Sequence, residues 1–209
     1  MKIVLWIVFQ IVIILSAITG VVLEISFQKG PFTGLNIFSY FTIQSNIIVA
    51  LILMLNIVNR ANPPRWLVTL KSGATIWILV TGLVFHFLLS KIYHPVGVLL
   101  ASNILLHYIV PIGMQFNWLI FEPKGNYRHS DTLLWIGYPV LFAFLSLLRA
   151  QIDGFYPYWF LIPNKNYPDG AGSFGNVLII IAGLAIAFSI IGNSLVVIDK
   201  SLQKLKRIE

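Results

Sequence analysis

Six apolar runs divide the chain, and each is long enough to cross a lipid bilayer as a helix. They cover residues 3–23, 38–58, 68–90, 96–120, 132–149 and 174–197. A bilayer-spanning helix needs about 20 mostly apolar residues, and the charged residues of these runs stand near their ends. The pattern predicts an all-α, polytopic membrane protein. We expect a six-helix bundle that forms a single transmembrane domain over residues 1–209.

The second run differs from the others because it carries a stripe of polar side chains. Ser39, Thr42 and the pair Ser45/Asn46 are three or four residues apart, which places them on one face of a helix, and Gln44 lies beside them. Burying so many hydroxyl and amide groups in lipid is costly unless they find hydrogen-bond partners. The stripe therefore faces protein or water inside the bundle.

The basic residues predict the orientation of the chain. With the N-terminus in the cytoplasm, the inner segments hold ten Lys and Arg residues and the outer loops hold four. This bias places both termini in the cytoplasm. It also explains the net charge of +7 without a nucleic-acid partner. The basic tail, residues 200–207, is expected to lie against anionic lipid head groups.

Two histidines fall inside the apolar runs and are candidates for chemistry. His107 shares a helix face with Asn103 and Pro111, which are four residues away on either side. A hydroxyl becomes a nucleophile when an imidazole takes its proton, so His107 is a candidate base for Thr42. At 1.5 Å per residue, however, Thr42 lies several ångström closer to its predicted helix start than His107 lies to its own. If that gap persists, His86 is the alternative base.

Other interpretations of these residues stay open. A buried neutral histidine often bonds a neighbouring hydroxyl, and membrane threonines commonly bond the preceding turn of their own helix. His86, His94 and His107 could form a metal or haem site, but no carboxylate inside the runs would complete it. We therefore expect neither metal nor cofactor. The absence of cysteine excludes disulfides, thiolate ligands and a cysteine nucleophile.

Four short motifs resemble those of a known family. They are Tyr40-Phe41-Thr42-Ile43-Gln44-Ser45-Asn46, Leu106-His107-Tyr108-Ile109-Val110-Pro111, Trp135-Ile136-Gly137-Tyr138-Pro139 and Tyr156-Pro157-Tyr158. In this order they resemble a bacterial family of six-helix membrane proteins. That family looks like a distant relative of the androgen-induced membrane proteins, which are integral-membrane threonine hydrolases that cleave fatty acid esters of hydroxy fatty acids.

The resemblance implies roles for individual residues. The nucleophilic threonine of the family falls on Thr42 and its histidine falls on His107. Where the family leads us to expect an acidic residue after the Tyr-Pro-Tyr motif, this chain has Phe160-Leu161-Ile162. If that acid orients the histidine or binds a polar group in the family, either Asp153 takes its place here or the role is lost.

These observations lead to a preferred function and two alternatives. The preferred one is a membrane-embedded hydrolase of fatty acyl esters, multi-pass in the bacterial cytoplasmic membrane, with a lipid ester as its substrate. Candidates to bind the substrate or the oxyanion are Asn46, Ser45, Asn103 and Gln44. The alternative is a non-catalytic protein that binds a lipid or partner and uses the polar stripe structurally. A transporter or channel is disfavoured by the lack of charge inside the runs.

Overall fold

The computed structural model describes residues 2–29 and 34–205, and that part of the chain is helical without strands. Six helices are long and apolar enough to cross a membrane. They are α1 (Lys2–Phe27), α2 (Phe41–Val58), α3 (Arg65–Leu89), α4 (Val98–Phe121), α5 (His129–Asp153) and α6 (Phe174–Leu205). The predicted all-α, six-span fold is thus confirmed. Lys206 and Arg207, the last basic residues of the predicted tail, lie outside the described residues.

Helix boundaries follow the local sequence. α2 begins at Phe41, later than predicted, because Gly34–Ser39 forms a 3-10 turn before it. α3 begins directly after Pro63-Pro64, where proline lacks the amide hydrogen that a preceding helix would need. α5 ends at Gly154, whose φ of 73° is the left-handed conformation that glycine adopts at helix ends.

Parts of α3 and α4 are wound as π-helix, with one more residue per hydrogen-bonded turn than an α-helix. These segments are Phe85–Leu89 in α3, and Leu105–Ile109 and Asn117–Phe121 in α4. Pro111 has no amide hydrogen to offer the carbonyl four residues earlier, which belongs to His107. The regular hydrogen-bond ladder is therefore interrupted at this point, and a π-helical turn lies beside it.

Contacts within the chain define two compact units, the first of which is Met1–Tyr127 with Val196–Glu209. In this unit α1 packs against α2 and α4, and α3 packs against α2 and α4. Apolar side chains of all four helices fill its centre. Those buried most completely include Leu53, Leu67, Ile76, Leu106 and Met114.

The second unit, Arg128–Leu195, contains α5, the segment between α5 and α6, and most of α6. Trp135 is 1% exposed, and it packs where Gly192 leaves room, since a Cβ on that glycine would lie 3.2 Å from the indole. In the segment between α5 and α6, Tyr158 stacks on Phe160 with ring centroids 5.0 Å apart. That residues 1–209 form a single domain stays a prediction.

Candidate functional site

Thr42 and His107 meet in the first unit. Thr42 Oγ1 lies 3.2 Å from His107 Nε2, within hydrogen-bond reach. The depth difference that the sequence suggested is absorbed by unequal helix starts. Thr42 is the second residue of α2, whereas His107 is the tenth residue of α4. α4 therefore has roughly two more turns before the site than α2 has.

The second ring nitrogen of His107 is bonded within its own helix. His107 Nδ1 lies 3.2 Å from the carbonyl oxygen of Asn103. A carbonyl only accepts, so Nδ1 carries a hydrogen, and in the neutral ring the lone pair of Nε2 then faces Thr42. Phe85 stacks on the ring at 3.9 Å and 24°, and His107 is 9% exposed. This neutral tautomer is the form that a general base requires.

The orienting group is thus a backbone carbonyl, where the family resemblance led us to expect an acid. Asp153 was the predicted substitute, but it accepts from Arg149 Nε at 2.8 Å and from the Phe155 amide at 2.9 Å. Sequence reasoning missed the carbonyl because backbone groups leave no trace in residue identity. The spacing of four between Asn103 and His107 was its only signal.

A glycine lets α3 approach α4 at the site. A Cβ on Gly82 would lie 2.8 Å from the carbonyl oxygen of His107 and 3.2 Å from Pro111 Cβ. Real side chains almost never pack that closely to a backbone oxygen. Gly82 therefore belongs to the architecture that positions His107.

Asn46 and Ser45 connect helices. Asn46 Nδ2 donates to the carbonyl oxygens of Thr42 at 2.9 Å and Leu106 at 3.3 Å, which joins α2 to α4. Ser45 Oγ lies 3.0 Å from Thr81 Oγ1, which joins α2 to α3. Both amide hydrogens of Asn46 are engaged in this arrangement. Asn46 therefore has no amide hydrogen left to donate to an oxyanion, and Asn103 is the remaining asparagine among the predicted donors.

Gln44 and His86 take positions away from the pair. Gln44 Nε2 donates to the carbonyl oxygen of Phe38 at 2.8 Å and so holds the 3-10 turn before α2. His86 is exposed, and its Nδ1 lies 3.2 Å from the hydroxyl of Tyr108. His107 rather than His86 is the histidine that contacts Thr42. The catalytic, substrate-binding and oxyanion roles of all these residues stay predictions.

Unfilled hydrogen-bonding capacity surrounds the Thr42–His107 pair. Asn103 is 5% exposed and Asn46 is fully buried. Among the described residues, neither Asn103 Oδ1 nor Asn46 Oδ1 has a hydrogen-bond partner. We name the group Thr42, Ser45, Asn46, Thr81, Asn103 and His107 the Thr42 cluster. No three His, Cys, Asp or Glu side chains in the described ranges come together as a possible metal site.

A second polar cluster lies near the other end of α2 and was not predicted. Lys71 forms an ion pair with Glu122 and donates to Asn56 Oδ1 at 2.8 Å. Asn56 Nδ2 donates to Gln10 Oε1 at 3.2 Å, and Asn117 Nδ2 donates to Glu122 Oε1 at 3.1 Å. We call these five residues the Lys71 cluster.

The Lys71 cluster corrects the prediction that charge is absent from the bundle. Lys71 and Glu122 are 7% and 9% exposed, and Glu24 of α1 is 8% exposed with a hydrogen bond from Ser102 at 2.8 Å. These residues stand near the predicted ends of the runs, where long side chains fold inward. The argument against ion transport that rested on missing charge no longer holds.

The loop between α4 and α5 is tied to the last turns of α6. Asp199 Oδ2 accepts from the amides of Gly125 at 2.7 Å and Tyr127 at 3.1 Å. This anchor accounts for the continuation of α6 beyond residue 197. Tyr127 stacks on Trp118 at 5.8 Å. Burial, aided by the negative charges of Glu122 and Asp199, raises the pKa of the Tyr127 hydroxyl well above its usual value.

No protein-family model, curated protein or solved structure matches the chain. The resemblance to the bacterial six-helix family and to the androgen-induced proteins therefore rests on the four quoted motifs. The helices themselves support a coarser identification. With six helices long and apolar enough to span a bilayer, the chain is an integral, multi-pass membrane protein.

Proposed function

We propose that this protein is a membrane-embedded hydrolase of fatty acyl esters, with Thr42 as nucleophile and His107 as base. The observation that carries the proposal is the 3.2 Å contact between Thr42 Oγ1 and His107 Nε2. The carbonyl of Asn103 supports it, since it selects the tautomer that accepts the proton of Thr42. Nucleophile, base and orienting group are the parts that acyl transfer needs.

The reaction would proceed in two steps. Thr42 Oγ1 attacks the ester carbonyl carbon while its proton moves to His107 Nε2. Collapse of the tetrahedral intermediate breaks the carbon–oxygen bond to the alcohol, which leaves with the proton from His107. Water then attacks the acyl-threonine, with His107 again taking a proton. His107 then returns this proton to Thr42 Oγ1, which releases the fatty acid and restores the enzyme.

Asn103 is the proposed donor to the oxyanion. Its side chain is buried one helical turn from His107, and among the described residues it connects no helices. Loss of one such donor lowers turnover by about 10²–10³-fold in well-studied hydrolases. The acyl chain would lie among apolar side chains of the bundle, where a few converging polar groups set its orientation.

The proposed location is the bacterial cytoplasmic membrane, with both termini in the cytoplasm. The excess of Lys and Arg in the segments assigned to the inside supports this orientation. The start of α2, with Thr42, would then lie in the outer half of the membrane. Water and released fatty acid would exchange on that side.

The test is hydrolysis of fatty acyl esters by the purified full chain in lipid nanodiscs. Thr42→Ala should abolish turnover, and His107→Ala should lower it by about 10²–10⁴-fold, the usual contribution of a general base. His86→Ala separates the two histidines and should keep most of the activity. A fluorophosphonate probe should label the parent protein but not Thr42→Ala.

Matched controls come from exposed positions of the same residue types. Thr19 in α1 and His94 between α3 and α4 are exposed, so Thr19→Ala and His94→Ala should behave like the parent. If Thr42→Ala, folded in nanodiscs, hydrolyses the esters as fast as the parent, the proposed nucleophile is wrong.

A non-catalytic role is the second candidate, and specific contacts favour it. Asn46 joins α2 to α4 and Ser45 joins α2 to α3, so part of the polar stripe connects helices. In that case the pair of Thr42 and His107 would be one more interhelical hydrogen bond. Thr42→Ala would then lower thermal stability, and no acyl ester would be turned over or label the protein.

A further inference from the structure

The Thr42 cluster has more hydrogen-bond acceptors than donors to fill them. Asn46 Nδ2 lies against two backbone carbonyls, at 2.9 and 3.3 Å, and carbonyls only accept. The amide orientation of Asn46 is therefore fixed by chemistry, with Oδ1 at its other end. That oxygen has no partner among the described residues. An unsatisfied buried acceptor costs about 1–3 kcal/mol, so most buried acceptors in proteins have a hydrogen-bond partner.

The hydroxyl groups of the cluster are already committed. Thr81 Oγ1 donates to the carbonyl oxygen of Trp77 at 2.9 Å, so in its contact with Ser45 it accepts. The single hydrogen of Ser45 is shared between Thr81 Oγ1 at 3.0 Å and the carbonyl oxygen of Thr42 at 3.2 Å. The hydrogen of Thr42 points to His107 Nε2. Within the cluster, no side-chain hydroxyl remains to donate to a free amide oxygen.

Of the two unfilled acceptors, Asn103 Oδ1 belongs to the residue that keeps some surface exposed, although the oxygen itself is buried. That oxygen lacks a partner in the described part of the chain, and Asn103 keeps 5% of its surface exposed, whereas Asn46 keeps none. Its backbone carbonyl contacts His107, so its side chain lies one turn from the reacting pair. A ligand that satisfies Asn103 Oδ1 must bring an O–H or N–H group.

Building on the proposed hydrolase, we propose that the substrate is a fatty acyl ester with a free hydroxyl close to the ester bond, such as a monoester of glycerol. An ester group offers only acceptors, which suit the amide hydrogens of Asn103. The neighbouring hydroxyl donates to Asn103 Oδ1. One amide thus binds both parts of the substrate, and esters of simple alcohols leave its oxygen unsatisfied.

The experiment compares two substrates of equal acyl length, monolauroylglycerol and the lauroyl ester of 2,3-dimethoxypropanol. The parent protein in nanodiscs should show a kcat/KM about 10–100-fold higher for the hydroxyl-bearing ester, the value of one hydrogen bond to an otherwise unsatisfied acceptor. Equal kcat/KM values would overturn the inference, and they are the result expected if a buried water fills Asn103 Oδ1. The hydrolase proposal would survive that outcome.

Two variants separate the acceptor of Asn103 from its donor. Asn103→Leu removes both, so the ratio of kcat/KM for the hydroxyl-bearing ester to kcat/KM for the dimethoxy ester should fall to about one. Asn103→Asp keeps an acceptor oxygen but loses the N–H group, so turnover of both esters should fall while the preference remains. An unchanged preference in Asn103→Leu would overturn the assignment to this residue.

A binding measurement makes the inference independent of turnover. Thr42→Ala should be stabilised against heat more by monolauroylglycerol than by the dimethoxy ester, and Asn103→Leu in the same background should remove the difference. If this holds while the parent hydrolyses neither ester, hydroxyl recognition stands and the hydrolase proposal fails. If the parent hydrolyses neither ester and both stabilise Thr42→Ala equally, the inference is overturned.

Discussion

The Thr42 and Lys71 clusters lie about 14 residues apart along α2, which corresponds to about 21 Å of helix. The Lys71 cluster is charged, and its lysine and glutamate pair with each other and with amides of two helices, Asn56 of α2 and Asn117 of α4. The Thr42 cluster is neutral and leaves two amide oxygens unfilled beside a hydroxyl–imidazole contact. The Lys71 cluster also leaves Gln10 Nε2 and Asn117 Oδ1 without partners among the described residues, but they lie beside an ion pair. Paired charges hold helices together, whereas unfilled groups beside a base are what a ligand can use.

The comparison teaches that polarity inside a membrane bundle has no single meaning. Lys71 and Glu122 are the more conspicuous residues, yet both are buried and each is paired with the other and with one amide. Breaking such a pair leaves an uncompensated charge, which is expensive in a medium with little water. Thr42 and His107 are less conspicuous, and their 3.2 Å contact is the one on which the proposed hydrolase rests. The two clusters should therefore respond differently to substitution.

The largest stability effect is expected at the Lys71 cluster. Glu122→Ala leaves the buried ammonium of Lys71 without its counter-charge, and removing one partner of a buried pair typically costs about 3–5 kcal/mol. The measurement is the free energy of unfolding by SDS titration. The double variant Lys71→Met with Glu122→Leu removes both charges and should recover most of the loss. A single variant as stable as the parent would contradict the comparison.

A smaller effect, on both stability and activity, is expected at Gly82. The Cβ of Gly82→Ala would meet the carbonyl oxygen of His107 at 2.8 Å, so α3 and α4 must separate. Overpacking of this kind costs about 1–3 kcal/mol, and a shift of about 1 Å at a reacting group lowers turnover by about 10²-fold. Gly137→Ala in α5 is the matched control, because a Cβ there meets nothing within 4 Å.

A still smaller change in stability is expected for Thr42→Ala. It removes one partly buried hydrogen bond, worth about 0.5–1.5 kcal/mol. Turnover should nevertheless be lost, so activity and stability separate at this cluster. SDS titration and ester hydrolysis on the same preparation check this. A loss of stability as large as that of Glu122→Ala would assign the Thr42 cluster the same structural role as the Lys71 cluster.

The smallest effect on stability is expected from Tyr127, in the loop beside the Lys71 cluster, and only at alkaline pH. Burial raises the pKa of Tyr127, so this hydroxyl stays neutral in the folded protein while an unfolded tyrosine ionises near pH 10. Stability is therefore unaffected by this group below about pH 10 and falls above it. Tyr127→Phe should lose part of that decline between pH 9 and pH 11, whereas an unchanged slope would show that Tyr127 ionises freely.

The six spans were predictable because hydropathy and length alone select them. The contact between Thr42 and His107 was less predictable, because it depends on which helices are neighbours and on where each begins. Residue spacing placed Asn103 on the correct face, but the carbonyl that orients His107 carries no sequence signature. The Lys71 cluster was missed because residues near the predicted run ends were assigned to the membrane surface, although Lys71 lies inside its run.

The π-helical turn Leu105–Ile109 has a consequence for how this chain can vary in length. Such a turn holds one residue more than a regular α-helical turn. A chain shortened by one residue there would keep its six apolar spans and nearly the same composition. Asn103 and the preceding part of α4 would, however, rotate by about 100° relative to the part that follows. The site thus depends on a single-residue insertion that hydropathy does not detect.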